Sequence, residues 1–179
     1  MSRPLATRAA APAVAAALML SATSAHALDA WRDRKGLFYG GGVGFGVGKT
    51  DVKTAENEVA INGRLRLGGG VNDLLTLDAE LGLGNQIDVD TTLVTGMLGA
   101  NVFVVDGMYL RAMGGMAHIS RISPANGDSS TGLGFGAGLG YEFFANSDLA
   151  VGVGGDVQHH AFDNFAFNAF NFGVTFTMY

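Results

Sequence analysis

The stretch Gly40-Gly41-Gly42-Val43-Gly44-Phe45-Gly46-Val47-Gly48 carries glycine at every second position, with Gly41, Val43, Phe45 and Val47 between. Gly134, Gly136, Gly138 and Gly140 repeat the device around Phe135, Ala137, Leu139 and Tyr141. A period of two is the signature of a strand, because successive side chains point to opposite faces. One face here is apolar and the other is nearly bare. A water-soluble sheet would bury its apolar face and show polar groups outside. These strands instead suit an apolar exterior and an interior too tight for side chains, which is the geometry of a narrow closed barrel in a membrane.

The chain begins with a different pattern. Arg3 and Arg8 form a basic region, Ala9 to Leu20 an apolar run, and Ala25-His26-Ala27 an A-x-A cleavage site, so residues 1–27 read as a secretory signal peptide. The run is shorter than the ~20 residues of a spanning helix, and no later segment is long and apolar enough to be one. Removing 27 of the 179 residues leaves a mature chain 28–179 of 152 residues, one domain by length. Without Arg3 and Arg8 the mature chain holds 9 basic and 16 acidic residues, a net of −7. That balance offers nothing to neutralise phosphates and argues against a nucleic-acid partner. The chain has no cysteine, which excludes disulfides and a lipid-modified N-terminal cysteine.

Alternation defines eight strands, at about 37–48, 59–70, 74–84, 91–104, 108–120, 132–144, 149–160 and 165–178. Each is near, or slightly above, the ~9–11 residues that cross a bilayer as a tilted strand. Val71-Asn72-Asp73, Val105-Asp106-Gly107 and Ala145-Asn146-Ser147-Asp148 are tight turns built on Asn, Asp and Gly. Lys49 to Glu58, Asn85 to Asp90 and Arg121 to Thr131 are longer and polar, and Ala161 to Asn164 is short. Short periplasmic turns facing longer external loops, with an even strand count, predict an all-β fold: an eight-stranded antiparallel up-and-down transmembrane β-barrel over 28–179.

The same alternation assigns faces. Ile61, Leu65 and Leu67 point one way and Asn62, Arg64 and Arg66 the other; Leu75, Leu77, Leu81 and Leu83 oppose Thr76, Asp78 and Glu80. A hairpin about 71–73 brings Arg66 opposite Asp78 or Glu80 and Arg64 near Glu80. Arg111 and Glu142 are expected to pair between the fifth and sixth strands, with Asp156 on the same inner face. Arg64, Arg66, Asp78, Glu80, Arg111, Glu142 and Asp156 thus form a predicted structural charge network in the lumen. An eight-strand interior is just wide enough for side chains to fill it. Inner glycines on the first and sixth strands are therefore expected to make room for arginines from other strands. Phe162, Phe165, Phe167 and Phe170 externally, and Tyr39, Tyr141, Phe143 and Tyr179 below, are expected to form two aromatic girdles.

The last strand, Phe170-Asn171-Phe172-Gly173-Val174-Thr175-Phe176-Thr177-Met178-Tyr179, has the spacing polar-x-Gly-x-x-apolar-x-apolar in Asn171, Gly173, Phe176 and Met178. This resembles the C-terminal signal read by the outer-membrane barrel-assembly machinery, although Tyr179 lies one step beyond the outward register. Tyr109-Leu110-Arg111-Ala112-Met113-Gly114-Gly115 and Gly134 to Phe143 are similar to the fifth and sixth strands of small OmpA/OmpX-like barrels. The resemblance covers about Gly36 onward. It implies the outer membrane of a Gram-negative-type envelope, contact with outer-membrane lipid and lipopolysaccharide, and the assembly machinery as a partner in biogenesis. No peptidoglycan-binding domain follows, so a cell-wall tether is not implied.

Other candidate sites have plain readings. Gly48-Lys49-Thr50 ends like a phosphate loop, but that loop needs glycine at 43, where there is Val43, and a helix after it. His118-Ile119-Ser120 resembles the outward His-x-Ser pair of outer-membrane lipid A deacylases, with histidine as base and serine as nucleophile. Of the carboxylates that could orient the histidine, Glu142 is at the far end and faces inward, and Asp128 is nearer but sits in a loop. His159 and His160 are adjacent on a strand, face opposite sides and cannot share a metal without a bulge. No catalytic, metal or cofactor residues are assigned. The expected role is structural or surface-interacting, with recognition in Lys49–Glu58 and Arg121–Thr131, a ligand unspecified, and a plugged lumen. The alternative is a narrow porin-like channel for ions or small solutes. A third reading, a lipid-modifying enzyme, rests on His118 and Ser120.

Overall fold

The structure, a computed structural model, describes residues 34–51, 57–87, 91–121 and 129–179. The predicted signal peptide and the middle of the three longer loops lie outside the described residues. Eight strands follow one another: β1 (Gly36–Thr50), β2 (Glu58–Asn72), β3 (Leu75–Gln86), β4 (Thr91–Val105), β5 (Met108–Arg121), β6 (Ser129–Phe144), β7 (Leu149–Ala161) and β8 (Ala166–Met178). Each pairs antiparallel with its neighbours, and β1 pairs with β8 (Val43 opposite Val174), closing the barrel. The expected up-and-down eight-stranded barrel is therefore the fold. Among the described residues no helix is long and apolar enough to cross a membrane. Closure leaves no sheet edge, so the ladder satisfies its own backbone groups, the condition for a sheet in hydrocarbon.

Local chemistry explains the tight turns. Asn72 Oδ1 accepts hydrogen bonds from the backbone N–H of Leu74 (2.9 Å) and Leu75 (2.8 Å), and Asn146 Oδ1 does the same for Asp148 (2.9 Å) and Leu149 (2.7 Å). An asparagine at that position replaces backbone partners that a two- or three-residue turn cannot supply. Between β4 and β5, Gly107 sits at φ +82°, a conformation that a residue with a Cβ rarely adopts. The ladder shifts register at Gly70/Asn72 and Phe103/Val105, both beside tight turns.

The faces fall as the period of two requires. Leu67, Leu81 and Phe135 are 64, 57 and 59% exposed on the outside, while Asp78 and Arg111 are 5 and 6% exposed on the inside. The barrel is inverted relative to a soluble one: leucine, valine and phenylalanine face outward and charge faces the axis.

Two expectations about the interior need correction. Of the predicted girdles, Tyr39, Phe143 and Phe170 do face outward. Phe162 and Phe167, however, are buried inside the end carrying the longer loops, packed with Ala117 and against Leu93, Ile119, Phe165 and Ala169. Tyr179 turns inward at the other end, tilted against Phe38 and Phe144 with centroids 5.4 Å away in each case. Parity decides this. Counting by twos from the inner Asp156 reaches Phe162, and from Asn171 reaches Phe167 and Tyr179.

The glycines also do something more varied than housing arginine. On β1 an arginine side chain is among the nearest atoms at Gly42, whose added Cβ would meet Arg64 Cγ at 3.3 Å. Gly48 lies under the Phe167 ring, Gly46 under the Asn171 amide, and Gly44 against the β8 backbone and Asn62. On β6, Gly134 faces His160 and Met97, Gly136 faces Gln158 and Met113, Gly138 faces Asp156, and Gly140 faces the Tyr109 ring. The two bare strands are shelves on which side chains from neighbouring strands lie.

Candidate functional site in the barrel lumen

Asp78 of β3 is the hub of the interior. Arg111 of β5 forks onto it, Nη1 donating to Oδ2 and Nη2 to Oδ1, each at 2.8 Å. Arg66 of β2 donates to the same carboxylate through Nε (3.2 Å) and Nη2. Asn101 Nδ2 adds a bond at 3.1 Å, while its Oδ1 accepts from Arg111 at 2.9 Å. Two guanidiniums and an amide on one carboxylate satisfy it as well as water would, and charge-assisted forks are among the stronger hydrogen bonds.

The network continues across the axis. Arg111 Nη2 also donates to Glu80 Oε2 (3.2 Å), which lies 4.0 Å from Arg64 Nη1. Arg64 donates to Asp156 Oδ2 on β7 at 3.0 Å. Asp156 Oδ1 accepts from Gln158 Nε2 (2.8 Å) and from Asn171 Nδ2 of β8 (2.9 Å). Gln158 Oε1 then meets His160 Nε2 at 3.1 Å. The chain of bonds joins β2, β3, β4 and β5 on one wall to β7 and β8 on the other. Arg64, Arg66 and Arg111 balance Asp78, Glu80 and Asp156, so this core is electrically neutral.

Two small cavities border this network. A cavity of about 50 Å³ lies on the longer-loop side, lined by Asn62, Arg64, Glu80, Gln86, Gln158 and Asn171 among others, with Phe167 also bordering it. A second, of about 20 Å³, is bordered by Arg64, Tyr109, Arg111, Asp156 and Thr175. Arg64, held by Asp156, borders both. Asn62 Oδ1 and Gln86 Nε2 are buried without a protein partner. The larger cavity, which both residues line, is roomy enough for a few waters to serve them, at ~10–15 Å³ of such space each.

Six of the seven predicted network residues meet here. The expected partnership of Arg111 with Glu142 does not form. Across the β5–β6 ladder Arg111 faces Gly138, and Glu142 lies two repeats of the pleat further toward the tight-turn end. Glu142 Oε1 instead accepts from Arg34 Nε (3.2 Å) and from the Tyr179 hydroxyl (2.9 Å). Arg66 faces Glu80 in the ladder, as one of the two expected arrangements had it, yet bonds diagonally to Asp78. Sequence reasoning missed Asn101, Gln158, His160 and Arg34. The first three sit on the inner parity of β4 and β7, a signal that was present. Arg34 precedes the first strand and has no such signal.

Of the proposed assembly residues, Asn171 and Gly173 face inward and Phe176 faces outward, 49% exposed. A Cβ on Gly173 would sit 2.6 Å from Val43 O and 3.0 Å from Gly44 Cα, so β1 can close onto β8 there only against glycine. His118 points outward, and the group on its Nδ1 is the Thr131 hydroxyl at 2.8 Å, not a carboxylate. His159 is held on the outside by Asn168 Oδ1 (2.8 Å), whereas His160 is fully buried and stacked on Phe167 (centroids 6.2 Å, 24°). The two histidines do face opposite sides.

An inverted, closed, eight-stranded barrel with a neutral, hydrogen-bonded filling defines the class of small outer-membrane barrels. The chain belongs to the outer membrane protein beta-barrel domain family, whose model matches residues 13–177. In fold it is similar to the Neisserial surface protein A (TM-score 0.66, 14% identity, covering 80% of this chain and 99% of that one). It is also similar to Ail, the attachment invasion locus protein of Yersinia pestis (0.62, 13%, 80% and 99%). The N-terminal barrel domain of Pseudomonas aeruginosa OprF matches at 0.50, with 15% identity over 80% of this chain and 98% of that one. No curated protein matches the chain by sequence.

Proposed function

We propose that the protein is a structural or surface-interacting outer-membrane barrel, OmpA/OmpX-like in type, with no catalytic step and a lumen closed by its own side chains. The observation that carries this is the Arg64–Asp156 bond across the axis, with cavities of about 50 and 20 Å³ that Arg64 borders. A hydrated ion passing this point would have to part a buried charge pair, and separating such a pair costs ~3–5 kcal/mol once one partner is left alone. In this reading residues 1–27 are removed on export, and the barrel-assembly machinery reads Asn171, Gly173, Phe176 and Met178. The outward leucines and aromatics contact outer-membrane lipid and lipopolysaccharide. Refolded protein in a planar bilayer is expected to give no steady conductance. Uniform steps that vanish when the sample is heat-denatured would overturn the closed lumen in favour of the channel alternative.

Recognition then belongs to the external loops. Lys49–Glu58, Asn85–Asp90, Arg121–Thr131 and Ala161–Asn164 hold three basic residues (Lys49, Lys53, Arg121) against seven acidic ones (Asp51, Glu56, Glu58, Asp88, Asp90, Asp128, Asp163). Ail is known in complex with the heparin analogue sucrose octasulfate, a polyanion. A loop surface carrying a net −4 repels such a ligand. Calorimetric titration of the detergent-solubilised barrel with sucrose octasulfate at ~0.15 M salt, where charges more than about 8 Å apart are screened, is expected to show no binding heat. A saturable isotherm would remove the charge argument.

A further inference from the structure

Arg34 lies outside the strands, yet its side chain is only 11% exposed and that of its partner Glu142 only 5%. Its guanidinium carbon stands 4.1 Å from the Phe103 ring centroid and 5.2 Å from that of Phe144. Its Nε donates to Glu142 Oε1 at 3.2 Å, and the Tyr179 hydroxyl donates to the same oxygen at 2.9 Å. The Tyr179 ring is set between Phe38 and Phe144. The walls of this site therefore come from β1, β4 and β6 and the residue after β8, all fixed by the barrel. The Tyr179–Glu142 bond and the ring contacts among Phe38, Tyr179 and Phe144 do not pass through Arg34.

We infer that the tight-turn end of the barrel is a ready-made guanidinium-binding site, filled in cis by Arg34. Two aromatic faces and one carboxylate oxygen suit a flat, delocalised cation that can stack and donate at once, with Nε of Arg34 making that bond and its Nη2 buried without a protein partner. A compact ammonium can do only part of this. On this account the Arg34 side chain is a tethered stopper for that end of the lumen. With Arg34 removed, the vacant seat would take up a free guanidinium ion. The inference does not depend on whether the central network conducts.

The test uses the mature chain refolded in detergent. Arg34→Ala is expected to lower the urea midpoint by about 1 M, the scale of one charged hydrogen bond with its stacking. Methylguanidinium at tens of millimolar should restore at least half of that loss in the variant and leave the wild type unmoved. Methylammonium at the same concentration should not. Guanidinium ions ordinarily destabilise proteins, so a stabilising response stands out by its sign. An unchanged midpoint in Arg34→Ala, no recovery with methylguanidinium, or equal recovery with methylammonium would each overturn the inference. If the variant does not refold, the wild type decides. Its Arg34 Nε–H resonance should be shifted upfield by the Phe103 ring and slow to exchange, and a resonance at the solvent-exposed position would refute the site.

Discussion

Asp78→Ala is expected to lower the stability of the refolded barrel by about 3–5 kcal/mol, the range for removing one partner from a buried ion network. Asp78 is the carboxylate on which Arg66, Arg111 and Asn101 converge, and it is 5% exposed. Its removal leaves Arg66 without its hydrogen-bonded carboxylate and Arg111 with Glu80 as its one remaining carboxylate beside the Asn101 amide. The cost is then the uncompensated burial of positive charge more than the loss of individual bonds. Asp78→Asn should recover part of it, because an amide oxygen still accepts from one guanidinium. Urea unfolding of the barrel in detergent, followed by the far-ultraviolet signal, reads the difference. A midpoint within about 0.2 M of the wild type, below half a kcal/mol at an ordinary slope, would show that the centre is not held by this hub.

The second large effect concerns space. Gly99→Val on β4 is expected to prevent refolding or to cost ~3 kcal/mol or more, the upper range for overpacking. Arg111 lies on β5 and Asp78 on β3, with β4 between them; the arginine crosses that strand over Gly99. A Cβ at Gly99 would stand 2.5 Å from Arg111 Nη2 and 2.7 Å from Asp78 Oδ1, inside the fork itself. Gly96 provides the control. It lies on the same strand but on the outer parity, where an added Cβ would meet nothing within 4 Å. Gly96→Val should change stability by less than about 0.5 kcal/mol, as surface substitutions do. Equal effects at both positions would mean that backbone flexibility, not interior room, is what the glycines supply.

Much of the architecture was legible in the residues. The eight expected segments agree with the strands to within a few residues; the sixth differs most, beginning at Ser129 rather than 132. The faces of Leu65, Arg66, Leu81 and Glu80 were assigned correctly because a period of two admits only one inversion of the sheet. The tight turns declared themselves through Asn72, Gly107 and Asn146, whose chemistry is local. Phe162, Phe167 and Tyr179 were misplaced although parity held the answer. Their composition suited a girdle, but a barrel this narrow can close its ends with the same rings.

What the order of residues determined by itself was everything set by neighbours along the chain or across one turn: strand number, facing and the inverted distribution of charge. The partners inside were decided by the closed barrel alone. Arg111 finds Asp78 two strands away because Gly99 leaves the intervening strand bare, and misses Glu142 because the ladder sets Gly138 opposite it. Arg34 finds Glu142 because β6 and the end of β8 come together at one mouth. The alternating glycines announced an interior with room left in it, and the curvature of the closed sheet chose which side chains would occupy that room.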